Sequence, residues 1–487
     1  MVPPVGIEPT AASLGRNRSN PLSYGGLKPP LTSRILHSKD KSVKLRYSSH
    51  HPLFHMKLNL KKNEKILVFL FFLILPLEKR HIFFSMGYQY GDFSAISLYI
   101  SDILAILLIS IGFYQGLSRG MAKNKLFLTL IAFIAIELII SPHGTFATFS
   151  ALKWLELVLI FAYFAYTKVS YATILNSIAV SGVFQSLIGI AQFIHQKSLG
   201  LAILGEAAIS PDISGIAKID TSFGKFVRAY GTFAHPNQLA AFLVVACATT
   251  FVLLLQDQNK YRKLLYIAGM FIIILGEILT FSRAGWAAII IVLILIPALS
   301  YKFVANKKQY LRALFVVLVS LLAGILIVWP FLGTRITVTD ASTTDRIYYD
   351  QAGLKQFKLQ PILGAGLGQL MPAMGEIENF TQAWMIQPPH NYFIDVACET
   401  GLIGLAVIFY IFGNLLHRLW EKFRTSETGD REQQIFKIFL GATVVAIIFL
   451  MQFDHYFYTL QQTQLLLWAI LGIMCGIVYR ETNSSEN

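Results

Sequence analysis

Apolar residues fall in long runs separated by short polar connections, and this alternation is the strongest pattern in the chain. Runs at 98–116, 124–141, 151–167, 172–194, 239–256, 262–280, 284–300, 310–331, 391–416, 435–453 and 461–479 reach, or nearly reach, the roughly 17–25 residues that a helix needs to cross a bilayer. A shorter run at 66–77 stops at Glu78-Lys79-Arg80 before apolar residues resume. The pattern predicts an all-α polytopic membrane protein of about 12 transmembrane helices. Two connections are much longer than the rest, 195–238 and 332–390. Long ordered loops are usually functional, and the apolar stretches at 199–209 and 347–370 are expected as amphipathic helices on the membrane surface.

Composition agrees. Of 487 residues, 55% are hydrophobic and 14% charged, far from the balance of a soluble domain. The formal charge of +14 raises nucleic acid as a partner, but the basic residues sit in alternate connections, as the positive-inside rule requires. Lys57, Lys61, Lys62 and Lys65 would be cytoplasmic, with Arg119, Lys123, Lys125, Lys168, Lys260, Arg262 and Lys263. Lys302, Lys307, Lys308, Arg312, Arg418, Lys422, Arg424, Arg431 and Arg480 follow the same side. Lys79 and Arg80 are exceptions outside, where both long connections also fall. Cys247, Cys398 and Cys475 stand in apolar stretches without metal or disulfide spacing. Residues 1–55 are Pro-, Ser- and Arg-rich and read as a disordered tail or as a start set too early, with Met56 as the natural beginning. Residues 56–480 form the membrane-embedded domain and 481–487 a cytoplasmic tail.

Three polar clusters share the outer side. In the first, Arg228 precedes YGTFAHPNQLA, where Asn237 after Pro236 reads as a helix cap and His235 stands beside it. In the second, LTFSRAGWAA makes a tight turn in which Ser282 caps and Arg283 lies in the first helical turn. A cation there opposes the helix dipole, so an anion held between the guanidinium and the free N–H groups explains it better than lipid snorkelling. In the third, Asn391, Asp395 and Glu399 recur every four residues behind His390, forming an inward stripe with a histidine at its mouth that can act as cap or general base. Gly364, Gly366 and Gly368 read as a turn, Asp345-Arg346 as a solvated pair or a substrate contact, and Asp454-His455 as an interfacial cap within an aromatic belt. Glu137, Glu156 and Glu277 would line a cavity or make structural contacts.

With these landmarks, the chain resembles the O-antigen ligase and polymerase superfamily of bacterial membrane glycosyltransferases. The resemblance rests on Arg228 followed by GTFAHPN, on SRAG at 282–285, and on Arg346 and PILGAGLG ahead of His390-Asn391 and ETGLIG. It covers roughly residues 60–480. It implies a GT-C-like fold in the bacterial cytoplasmic (inner) membrane with its site facing outward. There a glycan would pass from a polyprenyl-diphosphate carrier to an acceptor hydroxyl on a glycan, lipid or protein, without cofactor or metal. Arg228 and Arg283 would stabilise the diphosphate and His390 would deprotonate the acceptor, with inversion. His235, Asn237, Ser282, Asn391 and Arg346 would complete the substrate site, and Asp395 and Glu399 would orient His390 or the acceptor. The competing reading is a transporter or flippase for a lipid-linked glycan, which also needs many spans and basic cavity residues; the chain shows no repeated halves of the transporter kind. Ligase and polymerase differ only in acceptor, and the residues fit both.

Overall fold

Apart from one break in the run at 391–416, the long apolar runs close their backbone hydrogen bonds internally as helices, the only solution open to a single segment in hydrocarbon. A computed structural model describes residues 60–85, 93, 95–142, 144–221, 224–304, 306–337, 341–378, 386–425 and 431–480. The expectations for residues 1–55 and 481–487 lie outside them. The chain runs α1 (Leu60–Ile74), β1 (Arg80–Ser85), β2 (Ala95–Tyr99), α2 (Ile100–Tyr114), α3 (Leu117–Lys123), α4 (Lys125–Ile140), α5 (Thr145–Tyr166) and α6 (Tyr171–His195). It continues through β3 (Lys218–Thr221), β4 (Gly224–Val227), α7 (Pro236–Gln256), α8 (Lys260–Leu279), α9 (Arg283–Ser300) and α10 (Lys307–Thr337). Then come α11 (Ala341–Leu359), α12 (Leu370–Glu378), α13 (Tyr392–Thr425), α14 (Arg431–Leu450), α15 (Tyr456–Thr459) and α16 (Gln461–Arg480).

Among the described residues eight helices are long and apolar enough to cross a membrane, or nine if α2 and α3, bent by 80° at Gly116, count as one span. The chain is therefore a multi-pass membrane protein. Helix α1, with 15 residues, and α4, with 16, are shorter and reach only about 22–24 Å at 1.5 Å per residue, against a hydrocarbon core of about 30 Å. Apolar residues resume after Glu78-Lys79-Arg80 as the antiparallel hairpin β1–β2 rather than as helix.

Helix α7 is the axis of the bundle. Every residue from Pro236 to Leu255 is buried, which explains why the helix is apolar on all faces. Small residues let its neighbours come close: a Cβ on Gly182 of α6 would lie 2.4 Å from the Ala246 Cβ, and one on Gly285 of α9 2.7 Å from that of Ala240. Helices α5 and α16 pair along their length, as do α9 and α14. Large apolar side chains such as Leu187, Phe315, Trp329 and Phe409 point outward, as a lipid-facing surface demands.

The connection 195–238 departs from the surface helix expected over 199–209. It holds a three-residue 3-10 turn at Ala202–Leu204 and the hairpin β3–β4. The buried Glu206 carboxylate accepts from Leu199 N at 2.7 Å and Leu201 N at 2.6 Å, taking N–H groups that a helix would use. Gly200 and Gly205 at positive φ complete the turns. In the connection 332–390 the helix α11 covers the first half of the apolar stretch expected over 347–370; turns at 360–369 replace the second half.

Those turns enter a gap in α13. At Gly401 the backbone leaves the helical region, with φ 62° and ψ −159°, so carbonyls before the break and amides after it lose their helical partners. The segment 361–368 supplies replacements. Ala365 N donates to Cys398 O and Gly366 N to Glu399 O, both at 2.8 Å, while Leu402 N donates to Pro361 O at 2.9 Å. Gly364, Gly366 and Gly368 all take positive φ, in keeping with the turn read from the sequence. A Cβ on Gly401 would stand 2.3 Å from Ile362 O. Gly401→Ala should therefore lower stability by roughly 2–4 kcal/mol, from the left-handed backbone and the overpacking together. Gly413→Ala, where a Cβ meets nothing within 4 Å, should melt like the wild type in detergent thermal unfolding; equal melting of the two variants would refute the account.

Candidate active site

The ends of α6 and α8, the starts of α7, α9, α13 and α16, and the end of α14 converge on one end of the bundle, where α11 lies over them. Here Asp454, between α14 and α15, is the centre of the polar contacts. Its Oδ2 accepts from Asn237 Nδ2 at 2.9 Å and from Arg346 Nη2 at 3.4 Å. Its Oδ1 accepts from the backbone N of His455 at 3.0 Å and faces His390 Nδ1 at 3.4 Å. Asp454 is buried. Burial alone would raise its pKa, but the hydrogen bond to His390 and the positive neighbours, Arg346 among them, hold the carboxyl well below its ordinary range. The sequence reading of Asp454-His455 as a cap and aromatic belt missed this centre, whose only local signal is a pair of polar residues at the end of an apolar run.

Asn237 does not cap α7. Proline suits the first helical position, where its missing N–H is no loss, and Pro236 takes it, so His235 is the cap and its Nδ1 accepts from Asn237 N at 3.2 Å. Asn237 is freed to bridge: its Oδ1 accepts from Arg228 Nη2 at 2.6 Å while its Nδ2 donates to Asp454. Arg228 is buried, and its Nε donates to Thr280 O at 2.5 Å. Its guanidinium thus ties the end of α8 to the start of α7 behind Asn237.

Ser282 caps α9, its Oγ accepting from Gly285 N at 3.2 Å. Arg283 follows with an exposed side chain that donates to Thr343 Oγ1 of α11 at 3.1 Å. Arg346 is paired with Asp454 rather than with Asp345, since consecutive helical residues point in different directions. Asn237, Ser282, Arg283, Arg346, Asp454 and Tyr456 line one cleft of about 20 Å³, room for a water or two.

His390 precedes α13. Its backbone N donates to Asp350 Oδ1 of α11 at 2.7 Å, and its ring is 5.2 Å from that of His455. Asn391 caps α13, accepting from Phe393 N at 2.9 Å and Ile394 N at 3.3 Å. Asp395 and Glu399 do turn inward, but neither reaches His390. Five residues along a helix is about 140° around its axis. Asp395 is fully buried without a hydrogen-bond partner among the described residues, and Glu399 accepts from Gly368 N at 2.5 Å and Tyr458 Oη at 2.8 Å. The carboxylate beside His390 is Asp454.

His390, Asp454 and His455 bring possible metal-ligand atoms within 4.8 Å of one another. The carboxylate oxygens already serve Asn237, His455 N–H and the Arg346 cation, a set suited to a histidine–carboxylate pair.

His235 and His455 are both pulled down to about 3, chiefly by burial, which Arg228 reinforces at His235 and Asp454 opposes at His455. Folded, both rings stay neutral well below their ordinary 6.5. The unfolded chain therefore takes up protons first as pH falls from about 6.5 towards 3, and stability is lost over that window. Melting at pH 7 and pH 5 should show a loss on the order of 1–2 kcal/mol per ring, which His235→Asn combined with His455→Gln removes. An unchanged pH slope in the double variant would refute neutral burial.

No curated protein matches the chain significantly. Residues 268–409, from α8 into α13 and including Arg283, Arg346 and His390, match the family model described as O-Antigen ligase, a match that supports the O-antigen ligase and polymerase superfamily for this part of the chain.

Proposed function

We propose that this protein moves a glycan from a polyprenyl diphosphate to an acceptor hydroxyl, with His390 as general base and Arg283 and Arg346 as the cations that meet the leaving diphosphate. The observation that carries the reading is the convergence of His390, the ionised Asp454, Arg283 and Arg346 at one end of an apolar bundle. The match of residues 268–409 to the O-Antigen ligase family model supports membrane glycosyltransfer of the O-antigen ligase or polymerase type.

Asp454 beside Nδ1 favours the tautomer with a proton there, so that Nε2 carries the lone pair. The acceptor hydroxyl gives its proton to Nε2 as its oxygen attacks the anomeric carbon; the bond from that carbon to the diphosphate oxygen breaks with inversion. Charge collects on the diphosphate, and positioned guanidiniums and the N-terminal amides of α9 stabilise it there. Arg228 acts at one remove, fixing Asn237 and through it Asp454.

Charge supports an outward-facing site. Lys168, Lys260, Arg262, Lys263, Lys302, Lys307, Arg424 and Arg431 flank the helix ends opposite the site, and such residues favour the cytoplasm. The site then opens on the outer side of a bacterial cytoplasmic membrane, where polyprenyl-linked glycans are consumed.

The test is turnover by purified protein given a polyprenyl-diphosphate oligosaccharide and candidate acceptors, read as released polyprenyl diphosphate. Arg283→Ala should lower kcat/KM about 100- to 1,000-fold, and His390→Gln about 100- to 10,000-fold with donor binding retained. Donor binding without release for any acceptor would favour a transporter instead.

A further inference from the structure

A second cavity, of about 140 Å³, lies beside the cleft at the same end of the bundle. It is roughly ten times the space one water requires. Tyr99 of β2, Phe146, Phe149 and Trp154 of α5, and Tyr458 of α15 contribute aromatic walls. Ser150, Lys153, Gln461 and Gln464 bring hydrogen-bonding groups, and Glu399 of α13 also lines the cavity. None of this set belongs to the anion cleft.

The chemistry of the walls selects a ligand class. A diphosphate is disfavoured: Lys153 is the cation in the lining, and it is already paired with Asp102 at 2.6 Å and Glu156 at 3.1 Å. Glu399 adds another carboxylate. An acyl chain is disfavoured by serine, glutamine and lysine in the same walls. A neutral polyhydroxyl ring suits both surfaces, with C–H faces against aromatic rings and hydroxyls toward the polar groups.

Position connects the cavity to His390. Thr459, in its wall, is 2.6 Å from His455 Nδ1. The His455 ring centroid is 5.2 Å from that of Phe93, also in the wall, and 5.2 Å from that of His390. Arg283 and Arg346 line the cleft and not this cavity.

We propose that this aromatic-walled cavity is the acceptor-sugar subsite, seating a sugar ring of the acceptor so that a neighbouring hydroxyl reaches His390. The assignment rests on the glycosyltransfer reading above. It is tested with the full-length protein in nanodiscs, with polyprenyl diphosphate and a panel of free neutral and N-acetylated oligosaccharides as separate probes. Phe149→Ala removes a wall and Ser150→Trp fills the space. Both should weaken oligosaccharide binding about tenfold or more while leaving polyprenyl diphosphate affinity at the wild-type value. Oligosaccharide binding that the wild type lacks, or that both variants keep, overturns the subsite. Wild-type protein that binds oligosaccharide but not polyprenyl diphosphate overturns the acceptor role together with the transfer reading, on a different readout.

Discussion

A buried carboxylate holds this end of the bundle together. Asp454 takes hydrogen bonds or ion contacts from the start of α7 through Asn237, from α11 through Arg346, from the mouth of α13 through His390 and from α15 through the His455 amide. A charge out of water is tolerable only when its partners are good and its lone pairs are filled, so these four segments are bound to one another by the requirement to keep Asp454 satisfied. Asn237 extends the network: an amide that accepts from Arg228 and donates to Asp454 has its orientation fixed from both sides.

That arrangement separates two kinds of arginine. Arg228 is buried and committed to Thr280 and Asn237, so it supplies rigidity. Arg283 is exposed at the first turn of α9, and its contact is a neutral hydroxyl on Thr343; it can leave that contact at small cost when a stronger acceptor arrives. Arg346 stands between them, half-exposed and shared with Asp454. Preorganisation and access are thus divided among three side chains of the same type.

Much of this was legible along the chain. Apolar runs became helices because a membrane leaves the backbone no other partner, and Ser282 and Arg283 fell where a cap and a dipole-opposed cation were expected. What spacing did not reveal was contact across the bundle. Asp454 follows His390 by 64 residues and Asn237 by 217, and nothing periodic links them. The stripe of Asp395 and Glu399 was read correctly as inward-facing, but inward means toward the packed interior; helical rotation turns it away from His390. Asn237 looked like a cap until the preference of Pro236 for the first helical position moved the cap to His235. Within 199–209, apolar content suggested a helix that the Glu206 carboxylate pre-empts by binding the local amides.

The break in α13 links these observations. A helix interrupted at membrane depth must have its stranded carbonyls and amides satisfied by protein, and the segment that does so, 361–368, is continuous with α11. The long connection that carries Thr343, Arg346 and Asp350 over the site is thereby anchored by backbone bonds to the buried Cys398 and Glu399 and to Leu402. Cys398 Sγ donating to Gly353 O at 3.0 Å adds a further tie between α13 and α11. Gly401 is required because its positive φ opens the gap and its missing Cβ admits the Ile362 carbonyl. A flexible loop would leave Arg346 and Asp350 free to drift; fastened into the broken helix, the same loop holds Asp350 against the His390 amide and Arg346 against Asp454, so the break in one helix fixes the geometry at its mouth.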